Sequence, residues 1–222
     1  NVDHSKLCPF CDQPLPEQLS PEFHDLLRNA IKRAVNRPRP SNRFGLKASL
    51  PIYIGVCERH RFEEKLLPQA IKAGWPTTID FNAVPRRLLD QRKLLKDILQ
   101  NPSTSSFFRD SLEHVQAVGL RVAESAMGQY ATFERIQPGY YGERGSIVIH
   151  QTLFTMFSPE VMLAAQPNFA PLSQHTFTHA VLVPEAALLL IQQDQRTPRE
   201  AALKTMRASS RFGALMFPDD DD

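Results

Sequence analysis

The chain has 222 residues, of which 42% are hydrophobic and 23% charged, and a formal net charge of +2. That balance belongs to a globular chain able to bury a sizeable core; it excludes a disordered segment and a uniformly basic protein. The longest apolar run, Ala186 to Ile191, falls far short of the ~20 residues that span a bilayer, so no membrane is expected as a partner. No signal peptide is visible ahead of the first motif, and a chain that begins at Asn1 is expected to be a fragment or a processed product.

The first motif is Cys8-Pro-Phe-Cys11, and Cys57-Glu-Arg-His60 follows 46 positions after Cys11; these hold all 3 cysteines of the chain. An odd cysteine count argues against a disulfide framework, and reduced thiols suit the cytosol or nucleus. A CxxC and a CxxH pair together supply the four ligands of a tetrahedral Cys3His zinc site, because a two-residue spacer lets both side chains of a pair reach one ion. Two unrelated thiol pairs would leave unexplained why the third cysteine stands three residues before a histidine. His4 competes with His60 as fourth ligand, but only His60 completes a pair. The closed shell Cys8, Cys11, Cys57 and His60 leaves no position for water or substrate, so the expected zinc is structural.

Charge is uneven: Lys and Arg outnumber Asp and Glu 17 to 11 over residues 1–100 and are outnumbered 9 to 13 beyond them. Ser20-Pro21-Glu22 reads as a helix start, and Phe23, Leu26, Leu27, Ile31 and Val35 recur at helical spacing, which predicts a helix over about 21–36. Residues 31–47 then carry Lys32, Arg33, Arg37, Arg39, Arg43 and Lys47 with no acid. Arg37, Arg39 and Arg43 are candidate phosphate contacts, the alternative being an ordinary solvated helix end and loop. The β-branched and aromatic run Ile52 to Val56 predicts a short strand that delivers Cys57. A helical pattern resumes near Arg59, breaks at Pro68 and ends at Gly74-Trp75-Pro76.

Helices are predicted over Arg86 to Gln100 and Ser103 to Val118, the second closed by Gly119; residues 101–106 read as a loop between helices. Gln129 to Ile136 reads as extended. Pro138-Gly-Tyr-Tyr-Gly-Glu-Arg-Gly145 reads as a loop, since its three glycines oppose a regular helix. As a binding loop it offers Tyr140, Tyr141 and Arg144; as a plain turn, its tyrosines cap the core and Arg144 is solvated. Ile147, His150, Gln151, Phe154 and Phe157 follow at helical spacing, with His150 on the apolar face. His175 and His179 have metal-ligand spacing but no further ligand beside them. Thr197-Pro198-Arg199-Glu200 is a capping box that starts a last helix, and residues 219–222 form an acidic tail expected to be solvated and disordered. The fold class is mainly α with a few short strands (α+β), as one zinc-containing domain over residues 1–218. There is no GxSxG elbow and no HxE of a zinc deaminase, so nothing in the sequence asks for catalysis.

Taken in order, Cys8-Pro-Phe-Cys11, Val56-Cys57-Glu-Arg-His60, Gly74-Trp75-Pro76 with Ile79-Asp80-Phe81, and Pro138 to Gly145 resemble the fungal family of the "restriction of telomere capping protein 4" domain, over about residues 7–195. The resemblance implies a genetic link to telomere protection and a nuclear or nucleocytoplasmic location, with no enzymatic activity. It also carries the family's cysteine and histidine positions onto Cys8, Cys11, Cys57 and His60, and its glycine-tyrosine loop onto Gly139 to Gly145. The function expected is a non-catalytic, zinc-stabilised nuclear module that binds DNA or chromatin. A protein–protein interaction domain is the alternative, and an enzyme acting on nucleic acid or nucleotide through Glu143, Arg144 and His150 is the third reading.

Overall fold

The computed structural model describes residues 3–125 and 136–219. The fold is mostly helical, as the sequence predicts, with one two-stranded sheet among the described residues. The chain divides into two compact units, Asn1–Trp75 and Pro76–Asp222, where the sequence reads as a single domain.

In the first unit, α1 (Pro21–Lys32) starts where expected: Ser20 Oγ accepts the Phe23 N–H at 3.1 Å, and Pro21 fills the first turn. It stops at Lys32 and not near 36, because Val35–Asn36 (β1) pairs antiparallel with Leu46–Lys47 (β2), Val35 opposite Lys47. The hairpin is carried on by Arg37 N–H to Gly45 O, 2.9 Å, and is closed by a reciprocal Arg39–Asn42 pair, also 2.9 Å. Gly45 is required here, since a Cβ would lie 2.6 Å from Arg37 O.

The strand expected over Ile52–Val56 is instead part of α2 (Leu50–Arg61). Strand propensity is a weak preference that packing overrides. Helical spacing places Val56, Cys57 and His60 together on the buried side, an outcome that alternation along a strand does not give. Nor does Pro68 end the helix. α2 runs through one wide turn, Phe62–Leu66, into α3 (Leu67–Lys72): Leu67 N–H reaches back to Phe62 O, and this widening just before Pro68 lets the helix continue past a residue that has no N–H to donate. Gly74, at φ +73°, then closes α3: its N–H bonds Ile71 O, and Trp75 N–H bonds Ala70 O. The GWP motif is therefore a helix terminator at the boundary between units. In this unit Cys8, Phe23, Ala30, Val56 and Cys57 form one buried apolar cluster, and Phe62 and Ala70 are buried as well.

The second unit begins with α4 (Val84–Asp90) and α5 (Arg92–Gln100), separated by a break at Gln91 that the single predicted helix did not contain. α6 (Ser106–Val118) is capped by Ser105 and closed by Gly119 at φ +83°, after which comes α7 (Leu120–Ala123). The extended segment expected near Gln129–Ile136 lies, but for Ile136, outside the described residues. Beyond it stand α8 (Gly142–Met156), α9 (Pro159–Phe169), α10 (Gln174–Phe177), a wide turn at Thr178–Leu182, α11 (Val183–Gln195) and α12 (Arg199–Met216). α11 is the centre: Val183 through Leu188, Leu190 and Ile191 are all buried. A helix apolar nearly all round belongs inside a core. Its one buried acid, Glu185, accepts two bonds from Arg199, 2.6 and 2.8 Å, and one from Ser105 Oγ, 2.6 Å. No single helix among the described residues is long and apolar enough to cross a membrane.

The glycine-tyrosine segment is not a loop. Gly139–Tyr141 is one tight helical turn, and Gly142 and Gly145 lie within α8. Glycine is needed for close approach: a Cβ on Gly139 would sit 2.9 Å from Met206 Cα, one on Gly142 2.6 Å from Phe217 O, and one on Gly213 2.8 Å from Gly142 N. The motif seats the start of α8 against the backbone of α12.

Candidate metal centre

Residues 8–12 form a tight knuckle in which Cys8 N–H bonds Gln13 O at 2.8 Å and Asp12 N–H bonds Cys8 O at 3.0 Å. Asp12 takes φ +60° to close it. The knuckle presents Cys8 and Cys11, and the buried side of α2 presents Cys57 and His60. All four ligand atoms lie within 4.8 Å of one another. Cys11 Sγ is 4.0 Å from His60 Nδ1 and 3.9 Å from Nε2. Ligands bound to one zinc at about 2.0 and 2.3 Å are separated by about 3.5 Å in a tetrahedron, so only slight closure is required. Cys8 and His60 are fully buried and Cys57 nearly so.

Electrostatics point the same way. Three thiols in one buried site cannot all ionise by themselves. Hydrogen bonding from Cys57 draws Cys8 down to about 4, against the cost of burial. The same bond, with burial, pushes Cys57 up, and burial pushes Cys11 up. A coordinating divalent cation deprotonates its thiols outright and removes this conflict. The donor set, three sulfurs and one imidazole, is that of zinc, and bound there the ion would supply cross-linking and no open position for chemistry. His4 is engaged elsewhere, its Nδ1 accepting the Arg43 N–H at 3.1 Å.

The hairpin is docked onto the knuckle. Leu46 N–H bonds Pro9 O at 2.7 Å, and Asn42 Nδ2, fully buried, donates to Cys8 O at 3.2 Å. Arg39 completes the joint, donating to Asp12 Oδ1 at 2.6 Å, Asp12 Oδ2 at 3.1 Å, Pro9 O at 2.7 Å and Leu46 O at 3.3 Å. Its fork is thus occupied internally, and of the three arginines picked out as phosphate contacts only Arg37 and Arg43 stand exposed. Sequence reasoning passed over Asp12 and Asn42; the only signal for either is a polar turn residue beside a ligand pair or a proline.

In the second unit, Tyr140 and Tyr141 are 0% and 1% exposed. Both hydroxyls donate to Asp194 Oδ2, at 2.8 and 2.6 Å, while Arg87 donates to Asp194 Oδ1 at 2.7 Å and to the Tyr141 hydroxyl at 3.1 Å. Burial, then the neighbouring carboxylate, raises both phenols, so they stay protonated donors. Neither ring offers a face to a partner. Arg144 is exposed and lies over the Phe81 ring, 5.0 Å from its centroid.

Glu143, Arg144 and His150 do not converge. Glu143 and His150 are seven residues apart on α8, about 10.5 Å along the axis, and Glu143 accepts the Asp219 N–H at 3.4 Å. Asp219 is the one described residue of the expected acidic tail. His150 instead faces His179, ring centroids 6.4 Å apart, with His175 5.9 Å from His179. Burial lowers the pKa of His150 and His179; both are half-buried, and with His175 they line cavities of the second unit.

No curated protein and no solved structure matches the chain. A family model described as the RTC4-like domain matches residues 101–218. The match covers most of the second unit, including the glycine-tyrosine segment, and leaves the Cys and His cluster outside it. Since it takes in more than half of the 222 residues, the chain belongs to the RTC4-like domain family.

Proposed function

We propose that this protein is a non-catalytic nuclear module, telomere-linked through its family, whose zinc-held first unit binds DNA. The carrying observation is the hairpin fixed to the metal knuckle: no acidic residue occurs between Asp25 and Glu58, and Arg37, Arg43 and Lys47 stand exposed on it. Of the acids brought close, Asp12 is neutralised by Arg39 and also accepts from Ser41 Oγ, and Asp3 is held below its ordinary value first by its hydrogen bonds from Ser5, with Arg43 adding to the effect. Zinc serves by holding the knuckle and hairpin in one arrangement, so that these cations are presented together. Phosphate binding by such a surface is electrostatic and independent of sequence.

The test is titration of labelled duplex DNA over a range of salt. Replacing Arg37 and Arg43 by alanine is expected to weaken binding to all sequences and to flatten the salt dependence by about one unit per lost phosphate contact. Unchanged affinity and slope in that variant would overturn the reading and leave protein–protein interaction as the alternative.

A further inference from the structure

Phe44 is 52% exposed, on a hairpin whose backbone is tied down at every neighbouring position. Its own N–H bonds Asn42 Oδ1 at 2.9 Å, Arg43 N–H bonds His4 Nδ1, and Gly45 N–H bonds Asn42 O at 3.0 Å. The Arg43 guanidinium lies over the ring, 5.1 Å from the centroid. A large aromatic ring in this position is not explained by the fold: the unit's core is formed elsewhere, and Phe44 is not among the residues packed against it. We infer that Phe44 is a stacking platform for an unpaired base, so that the hairpin binds single-stranded nucleic acid, with Arg43 and Arg37 on the flanking phosphates.

The inference rests on the nucleic-acid reading above and adds to it a preference that charge alone does not give. A duplex buries its base faces in its own stack and presents phosphates to Arg37 and Arg43. A single strand presents both. An exposed aromatic beside cations, on a backbone that does not have to be ordered on binding, is the combination that single-strand binders use, and it is tolerant of sequence because every base has a π-face. Arg43 beside the ring places a cation next to the stacked base, within reach of its phosphate. An acidic protein segment would satisfy the cations but leave the ring with no partner of its own kind.

The experiment compares the whole chain with its F44A and F44W variants and the Arg37→Ala, Arg43→Ala double variant. The probes are an oligothymidylate and a duplex of equal length at one salt concentration. F44A is expected to lose roughly tenfold in affinity for the single strand while keeping its affinity for duplex, its salt slope, its metal content and its melting temperature. F44W is expected to keep single-strand affinity, with indole emission quenched by the oligothymidylate and not by duplex. The double arginine variant is expected to weaken both probes together. If F44A leaves single-strand binding unchanged, or weakens both probes equally, the stacking role is overturned while the electrostatic reading stands. If an oligoglutamate displaces the single strand as well as unlabelled oligothymidylate does, the site reads charge alone and the inference fails. If the unaltered chain binds neither probe, the parent reading falls and the inference with it.

Discussion

Arg39 shows how one side chain changes meaning when its partners are known. By composition it is one of six cations in an acid-free stretch, and by position it sits between two prolines that hold the chain extended. In the fold it is 27% exposed and Asp12 21% exposed, and the pair closes the joint between knuckle and hairpin. The Asp12 carboxyl is held below its ordinary value, first by the hydrogen bond from Arg39. Arg39→Ala should therefore act on stability before it acts on the proposed DNA binding. Hydrogen bonds to a charged group contribute about 1.5–3 kcal/mol when buried, and partial exposure of this pair reduces that, so a loss of about 1–2 kcal/mol in the first unit is expected. Lysine would restore the charge without the fork and should recover only part of the loss. Denaturant titrations of both variants, with zinc retention followed in parallel, test this. An Arg39→Ala protein as stable as the parent, with weakened DNA binding, would return Arg39 to the phosphate contacts.

Between Gly139 and Gly145 the element, not the residue, is the unit of explanation. Gly142 has φ +65° and ψ −165°, a region that residues with a Cβ avoid, and its missing side chain leaves room for the carbonyl oxygens of Gly213 and Phe217. Gly119, at φ +83°, is the contrast, for a Cβ added there would meet nothing within 4 Å. Gly119→Ala should cost only backbone strain, about 1–3 kcal/mol. Gly142→Ala should cost more than about 3 kcal/mol, since backbone atoms of α12 cannot swing aside. Thermal melts of the two variants decide it; equal losses would mean that packing against α12 is loose. The glycines and tyrosines were legible as a motif but not as a seat, because their partners lie far downstream: Asp194 for the tyrosine hydroxyls, Met206 for Gly139, and Gly213, 71 positions on, for Gly142. Capping signals are more direct: Ser20, Gly74 and Gly119 each act through neighbours in sequence. The strand wrongly expected at Ile52–Val56 failed for the opposite reason. Its β-branched residues express a local preference, while α2 is set by the need to bring Cys57 and His60 to one side. The spacing of the cysteines was the one long-range contact that the sequence made visible, because a metal site requires both pairs at once.

At the scale of the whole molecule, the two units differ in what holds them. The second has a continuous apolar centre in α11, reinforced by the Glu185–Arg199 and Asp194–Arg87 pairs. The first has a smaller buried set, in which the cluster around Phe23 and Val56 includes the thiols Cys8 and Cys57. A unit of this size buries too little surface to be firmly stable without a cross-link or a metal. In such sites the free energy of metal binding is free energy of folding. If the cluster holds zinc as proposed, treatment with a strong chelator, or Cys57→Ser, is therefore expected to unfold α1, the hairpin and α2–α3 while α4 to α12 keep their structure. Circular dichroism should show a partial loss of helix, and a thermal scan of the stripped protein should retain the transition of the second unit. Serine keeps the size of the side chain but not the thiolate, so the comparison isolates coordination from packing. Hydrogen exchange resolved by segment supplies the discriminating measurement: protection should vanish over 21–72 and persist over 84–118 and 142–216. Loss of protection throughout would show that the second unit depends on the first. Protection unchanged everywhere, in protein shown by elemental analysis to carry no zinc, would show that the four-residue cluster contributes nothing to folding.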